Sequence, residues 1–305
     1  MLLSLLLLQA LPDKALLFDS DRSGNFEIYG MSVKGTMETP LTADPAYDSW
    51  WPKPSPDRTQ ILFVRTPAGV HDTDYRQVST WLMGADGSNL REILPEGAYG
   101  WGLQGHPEWR PDGQRIATMG GSSINAQIFL VDPDGGNPVR VTRTGGGGPR
   151  PGTNVDPSWS PDGRFLLFIG CPGAFCLSGG YEVYRVRPDG SGETRLTFNN
   201  RQDNDPYYSP DGRTIALLRN TGALRWGIYK MNPDGSNEVP VIDDGGVNSK
   251  PAWSLDGTWI YFHRIPPATG GQFNVWKIRP DGSSLIELIQ PRPNYVNEYP
   301  VNGLN

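Results

Sequence analysis

Cysteine and histidine are scarce in this 305-residue chain, with two of the first and three of the second. Cys171 and Cys176 stand five apart in a turn-rich stretch. Two thiols cannot build a zinc site, and the spacing is not Cys-x-x-Cys, which argues against redox catalysis. His71, His106 and His263 fall far from the spacing of a His-x-x-x-His metal site. No apolar run reaches 18 residues, so no helix is expected to cross a membrane. Lys and Arg never cluster and the formal net charge is −6, which excludes a nucleic-acid partner held through its phosphates. No Gly-x-Ser-x-Gly elbow occurs for a hydrolase nucleophile. Gly145 to Gly148 lacks the Lys and Ser/Thr of a phosphate loop and reads as a connector.

Turn formers and aromatics are abundant instead. The 38 Gly and 29 Pro are about twice the usual share, and ten Trp exclude a disordered tail. Short strands joined by tight turns are expected. A module of Pro, a following Trp or Tyr, and Asp-Gly recurs along the chain. It appears as Pro107, Trp109, Asp112, Gly113; as Pro157, Trp159, Asp162, Gly163; as Pro206, Tyr208, Asp211, Gly212; and as Pro251, Trp253, Asp256, Gly257. A degenerate copy is Pro52, Pro54, Asp57, Arg58, and the aspartates lie 55, 50, 49 and 45 residues apart. After each copy comes an aromatic-rich strand and a second Asp-Gly, at Asp86, Asp134, Asp189, Asp234 and Asp281. Asp-Gly between alternating strands marks a hairpin, because the turn needs positive φ. Two hairpins per repeat make four antiparallel strands, one propeller blade.

Five repeats are complete. Residues 15–35 supply three further strands, and Tyr295 to Gly303 resembles the missing first strand. An all-β, six-bladed propeller of four-stranded blades is therefore expected, closed by N- and C-terminal strands sharing one blade. These repeats resemble those of the TolB-like β-propeller family, on the five Ser-Pro-Asp-Gly-type turns and on Ser20 to Tyr29. The resemblance implies the fold across nearly the whole chain, without the N-terminal α/β domain that TolB itself carries. Residues 1–10, apolar through Leu8 and ending on Ala10, read as a signal or apolar leader, and residues 11–305 as one domain. Export suits a disulfide between Cys171 and Cys176, and the expected location is periplasmic or extracellular.

The repeated Trp109, Trp159 and Trp253 belong in the core between blades, and the repeated aspartates cap turns. Function is expected where the repeat breaks. Both Asp-Gly turns of each blade fall on one face of the disc. The opposite face carries long, irregular loops such as Thr66 to Thr80, Gly170 to Gly180 and Pro95 to Gly105, which makes it the binding face. Residues just before each repeat Pro should ring the channel mouth there: Asp48 with Trp51, His106, Asn154 with Asp156, Asn204 with Asp205, and Asn248 with Lys250. Glu298 joins from the closing strand, and Trp50 and Trp101 add aromatic platforms. Carboxylates and amides are the oxygen ligands of calcium, so the ring reads as a calcium or polar-ligand site, with Asp156 and Asp205 as metal ligands. It reads equally as a hydrated channel. The expected function is binding of a protein or glycan at this face without catalysis. The alternatives are a lyase or glycosidase, with His106 and Asp156 or Asp205 as acid and base, and a structural subunit of a surface assembly.

Overall fold

The computed structural model describes residues 16–31, 39–123, 125–142, 153–171, 180–223, 225–267, 273–288 and, by backbone alone, 297–302. It is an all-β propeller of antiparallel four-strand units. The chain opens with β1 (Leu16–Ser20), β2 (Glu27–Met31) and β3 (Thr39–Pro40). The next unit is β4 (Tyr47–Pro54), β5 (Gln60–Pro67), β6 (Ser79–Gly84) and β7 (Arg91–Leu94). It is followed by β8 (Leu103–Trp109), β9 (Ile116–Ser122), β10 (Asn125–Val131) and β11 (Val139–Arg140). Then come β12 (Asn154–Trp159), β13 (Leu166–Gly170), β14 (Glu182–Val186) and β15 (Thr194–Arg195). The last eight before the end are β16 (Asp203–Tyr208), β17 (Ile215–Gly222), β18 (Arg225–Met231), β19 (Val239–Ile242), β20 (Val247–Trp253), β21 (Ile260–Ile265), β22 (Asn274–Ile278) and β23 (Ile286–Glu287). Finally β24 (Asn297–Asn302) pairs antiparallel with β1, so both ends of the chain share one sheet.

Four separate four-stranded sheets result, where six were expected; β16 to β23 form a single sheet of eight. One parallel pair, Trp226 with Val247, fuses that sheet. The short link from β19 to β20 brings the two backbones together at this point, and Asn248 Nδ2 donates to the Trp226 carbonyl beside it at 2.7 Å. The innermost strands β4, β8, β12, β16, β20 and β24 touch in a closed cycle.

Packing follows the repeat. Six apolar clusters are each shared by two successive units, as where Trp159, Leu166 and Phe168 meet Ala117 and Ile128. Trp109, Trp159 and Trp253 lie in these clusters, as their place in the repeat implies. Burying such large rings against a neighbouring sheet is worth about 25 cal/mol per Å2 of apolar surface. The Asp-Gly turns serve the same contact. Gly235 has φ of 87°, and a Cβ there would lie 2.4 Å from the Leu196 carbonyl of the preceding unit. In the degenerate copy Arg58 takes the left-handed position itself, with φ of 60°. Among the described residues no helix is long and apolar enough to cross a membrane.

Candidate functional site at the channel mouth

Each innermost strand is interrupted at the same place. The register of pairing with the second strand slips between Trp50 and Lys53, Gly105 and Glu108, Val155 and Ser158, Asn204 and Tyr207, and Ser249 and Ala252. Such bulges re-aim side chains. The residue before the repeat Pro is left-handed in all five: Trp51, His106, Asp156, Asp205 and Lys250, with φ between 47° and 58°. A non-glycine residue held there costs on the order of 1–3 kcal/mol and persists only where its surroundings impose it.

These five side chains converge. The Trp51 indole stacks on His106 at 4.2 Å between ring centroids, and the Lys250 ammonium stands 4.7 Å from the Trp51 ring. His106 Nδ1 pairs with Asp156. Burial would raise the Asp156 carboxyl, but the His106 and Lys250 charges outweigh it and hold it below the ordinary range. Burial raises Asp205, helped by the Asp156 charge and opposed by Lys250. One layer deeper the channel is crossed by Lys53, whose Nζ lies 2.7 Å from Glu108 and donates to the Tyr207 hydroxyl at 2.9 Å.

The connection from β5 to β6 reaches over this ring. Asp48, 2% exposed, organises it: its carboxylate accepts from the backbone N–H of Phe26, Gly69, Val70 and His71 at 2.7–3.1 Å. Asp48 is thus a loop anchor and presents no free carboxylate to a ligand. His71 Nε2 lies 2.9 Å from Asp19, and its ring stacks on Phe26 at 3.6 Å. Asp72 follows, in contact with the Tyr75 hydroxyl and 4.0 Å from Lys250 of β20. Tyr75 also bonds His106 Nε2 at 2.6 Å, so Asp156, His106, Tyr75 and Asp72 form one chain of contacts. Gly105 leaves room for the tyrosine, whose ring would lie 2.9 Å from a Cβ there.

Other expected site residues lie elsewhere. Trp50 is fully buried against Tyr75 and His71. Trp101 packs on Phe129 and over Gly120, where a Cβ would lie 2.5 Å from the indole, so it belongs to the core between units. Asn154 is buried with its amide donating to Gln127 at 3.0 Å. Asn204 and Asn248 do line the mouth, beside a cavity of about 270 Å3 with Asp72, Asp205, Lys250, His263, Trp226 and Phe273. For Glu298 only the backbone is described, paired with Asp19. Cys176 and residues 1–10 lie outside the described residues; Cys171 is buried. Among the described residues no three His, Cys, Asp or Glu side chains stand close enough to hold a metal ion. Asp72 is the functional candidate that the repeat could not reveal, because it sits in an insertion, the Thr66–Thr80 loop that also carries Tyr75.

The sequence profile of a family described as TolB beta propeller domain matches residues 97–295. A protein TolB homolog from Chlorobium luteolum is 27% identical over 219 residues, covering 59% of this chain and 46% of that protein. The chain spans less than half the length of the curated relatives it matches. Among solved structures, TolB from Acinetobacter baumannii superposes with a TM-score of 0.72 at 16% identity, over 96% of this chain and 67% of that one. An oligogalacturonate lyase in complex with manganese superposes at 0.56 and 15%, over 82% and 70%. At these identities the likeness shows the fold.

Proposed function

Since the chain belongs to the TolB beta propeller family, we propose that it is an exported binding scaffold of six blades that recognises a protein or glycan at its loop-rich face. The blade count takes the eight-stranded sheet as two units joined at one residue pair. The observation that carries the reading is the mouth itself. Five left-handed residues, one per repeat, hold a fixed polar ring, and the Asp48-anchored loop lies over it. Below, Lys53, Glu108 and Tyr207 bridge the channel, so a ligand is held at the rim and does not thread through. Export is proposed from the apolar run of residues 1–8, together with a disulfide between Cys171 and Cys176 that mass measurement without reductant would test. Calcium at Asp156 and Asp205 is the competing occupant of this rim, and it would require that calcium stabilise the fold beyond sodium at equal ionic strength.

A carbohydrate-active enzyme is the second reading, favoured by the Asp156–His106–Tyr75 chain, which has the form of an acid–base relay. Arrays of glycans and peptides, followed by product analysis, separate the two. Binding without bond cleavage supports the scaffold. Cleavage by the wild type that disappears in His106→Ala supports the enzyme and removes the scaffold reading.

A further inference from the structure

The cavity beside the ring holds an unanswered charge. Asp205 is 4% exposed, lines the cavity, and accepts no hydrogen bond from the described residues; burial raises its carboxyl, and the charges of Lys250, Asp156, His106 and Asp72 act on it. A buried carboxylate without a donor is costly and calls for an explanation. Lys250 acts on Asp205 through its charge, with its ammonium 4.0 Å from Asp72 and over the Trp51 ring. The lining thus carries two carboxylates, Asp72 and Asp205, against one ammonium. The rest of the lining sets apolar and aromatic groups, Leu218, Trp226, Val247 and Phe273, beside the neutral polar Asn204, Asn248, Ser249 and His263.

We propose that this cavity receives an organic cation, the guanidinium or ammonium end of an arginine or lysine side chain presented by a partner protein. The proposal deepens the scaffold reading and rests on it for the source of the side chain. Asp205 would accept the charge-assisted hydrogen bonds, which are about twice as strong as neutral ones. Trp226 and Phe273 would cover the aliphatic stem and face the cation. About 270 Å3 is small for a drug-sized ligand or an oligosaccharide and suits one long side chain. A bare divalent ion needs several oxygen ligands in its shell, and the described residues do not bring three acidic or imidazole groups together.

The test uses Nα-acetyl-arginine amide and its neutral isostere Nα-acetyl-citrulline amide, titrated calorimetrically into the full chain at low salt. The arginine compound should bind at one site, with the citrulline compound at least ten-fold weaker. Asp205→Asn should weaken the arginine compound ten-fold or more and leave the near-ultraviolet circular dichroism unchanged. Asp86→Asn, in a remote turn, should bind like wild type. If Asp205→Asn is misfolded, Trp226→Leu takes its place and should lose most of the affinity by losing the stem contact. Equal binding of the two compounds, or undiminished binding by the folded variants, overturns the proposal. So does displacement of the arginine compound by equimolar calcium but not sodium, which would make the site a metal site. The outcome is separable from the scaffold reading. Array binding with no arginine binding removes the cavity's role alone, and arginine binding with no array ligand keeps the cavity's cation chemistry but removes the scaffold and, with it, a partner protein as the source.

Discussion

Aspartate behaves in opposite ways on the two faces of this disc. On the turn face the carboxylates of Asp57, Asp162, Asp211 and Asp256 each accept from a Ser hydroxyl at 2.6 Å and from the backbone N–H two residues on, at 3.0–3.1 Å. Those serine hydrogen bonds, first of all, hold all four below the ordinary carboxylate range. At the mouth, burial pushes Asp19 up to about 6, with His71 pulling the other way, and raises Asp205, while at Asp156 the His106 and Lys250 charges overcome it. The same side chain is thus a solvated turn acceptor on one face and, at Asp19 and Asp205, a desolvated group on the other. A repeat protein can keep one face for architecture because its turns satisfy themselves locally. The other face is free to hold groups whose protonation answers to what binds.

Three experiments sharpen or break that contrast. Asp48→Ala should have the largest effect, a loss of about 3–5 kcal/mol, because four backbone donors lose a charged acceptor. Urea denaturation measures the loss, and hydrogen exchange should speed up at Gly69, Val70 and His71. Unchanged protection of those amides would mean the loop is held without Asp48. Asp19 provides the next effect through pH. The folded state takes its proton near 6 and the unfolded state only near 3.8, so between these values the folded chain binds more protons. This group therefore strengthens the fold as pH falls from about 6 to about 4, and weakens it as pH rises, by at most about 3 kcal/mol. The turn aspartates act with the opposite sign, their stabilisation being lost as pH falls below the ordinary carboxylate value. Comparing wild type with Asp19→Asn isolates the first term, and an equal difference at pH 4.5 and pH 7 would show that Asp19 does not titrate with folding. Smallest is Ser209→Ala on the turn face, which should cost about 1 kcal/mol, with the same slope against urea. A loss as large as that of Asp48→Ala would end the distinction between the faces.

The architecture was legible because it repeats. Asp-Gly at the turns and Pro-x-Trp in the innermost strand each perform one physical task several times over, so periodicity alone exposed them. The ring positions Trp51, His106, Asp156, Asp205 and Lys250 were legible for the same reason, each standing next to a repeat Pro. What stayed hidden depends on partners distant in the chain. Asp48 looks like a ring residue until the loop amides that wrap it are seen. Trp101 looks like a platform until Gly120 is found beneath it, and the Gly120–Gly121 pair in β9 was the only signal of that space. Asp72 lies in the non-repeated Thr66–Thr80 loop, and only folding brings it to Lys250.

The left-handed bulge also bears on how such a protein can change. Its geometry is set by the following proline, the slipped register and the neighbouring strands, and it already accommodates an indole, an imidazole, two carboxylates and an ammonium. The backbone at these positions is a set of sockets that accept different plugs. Exchanging one plug rewrites the chemistry of the mouth while the strands, turns and buried tryptophans around it keep their places. Lineages of such discs can therefore diverge in what they recognise one rim residue at a time, without passing through an unfolded intermediate sequence.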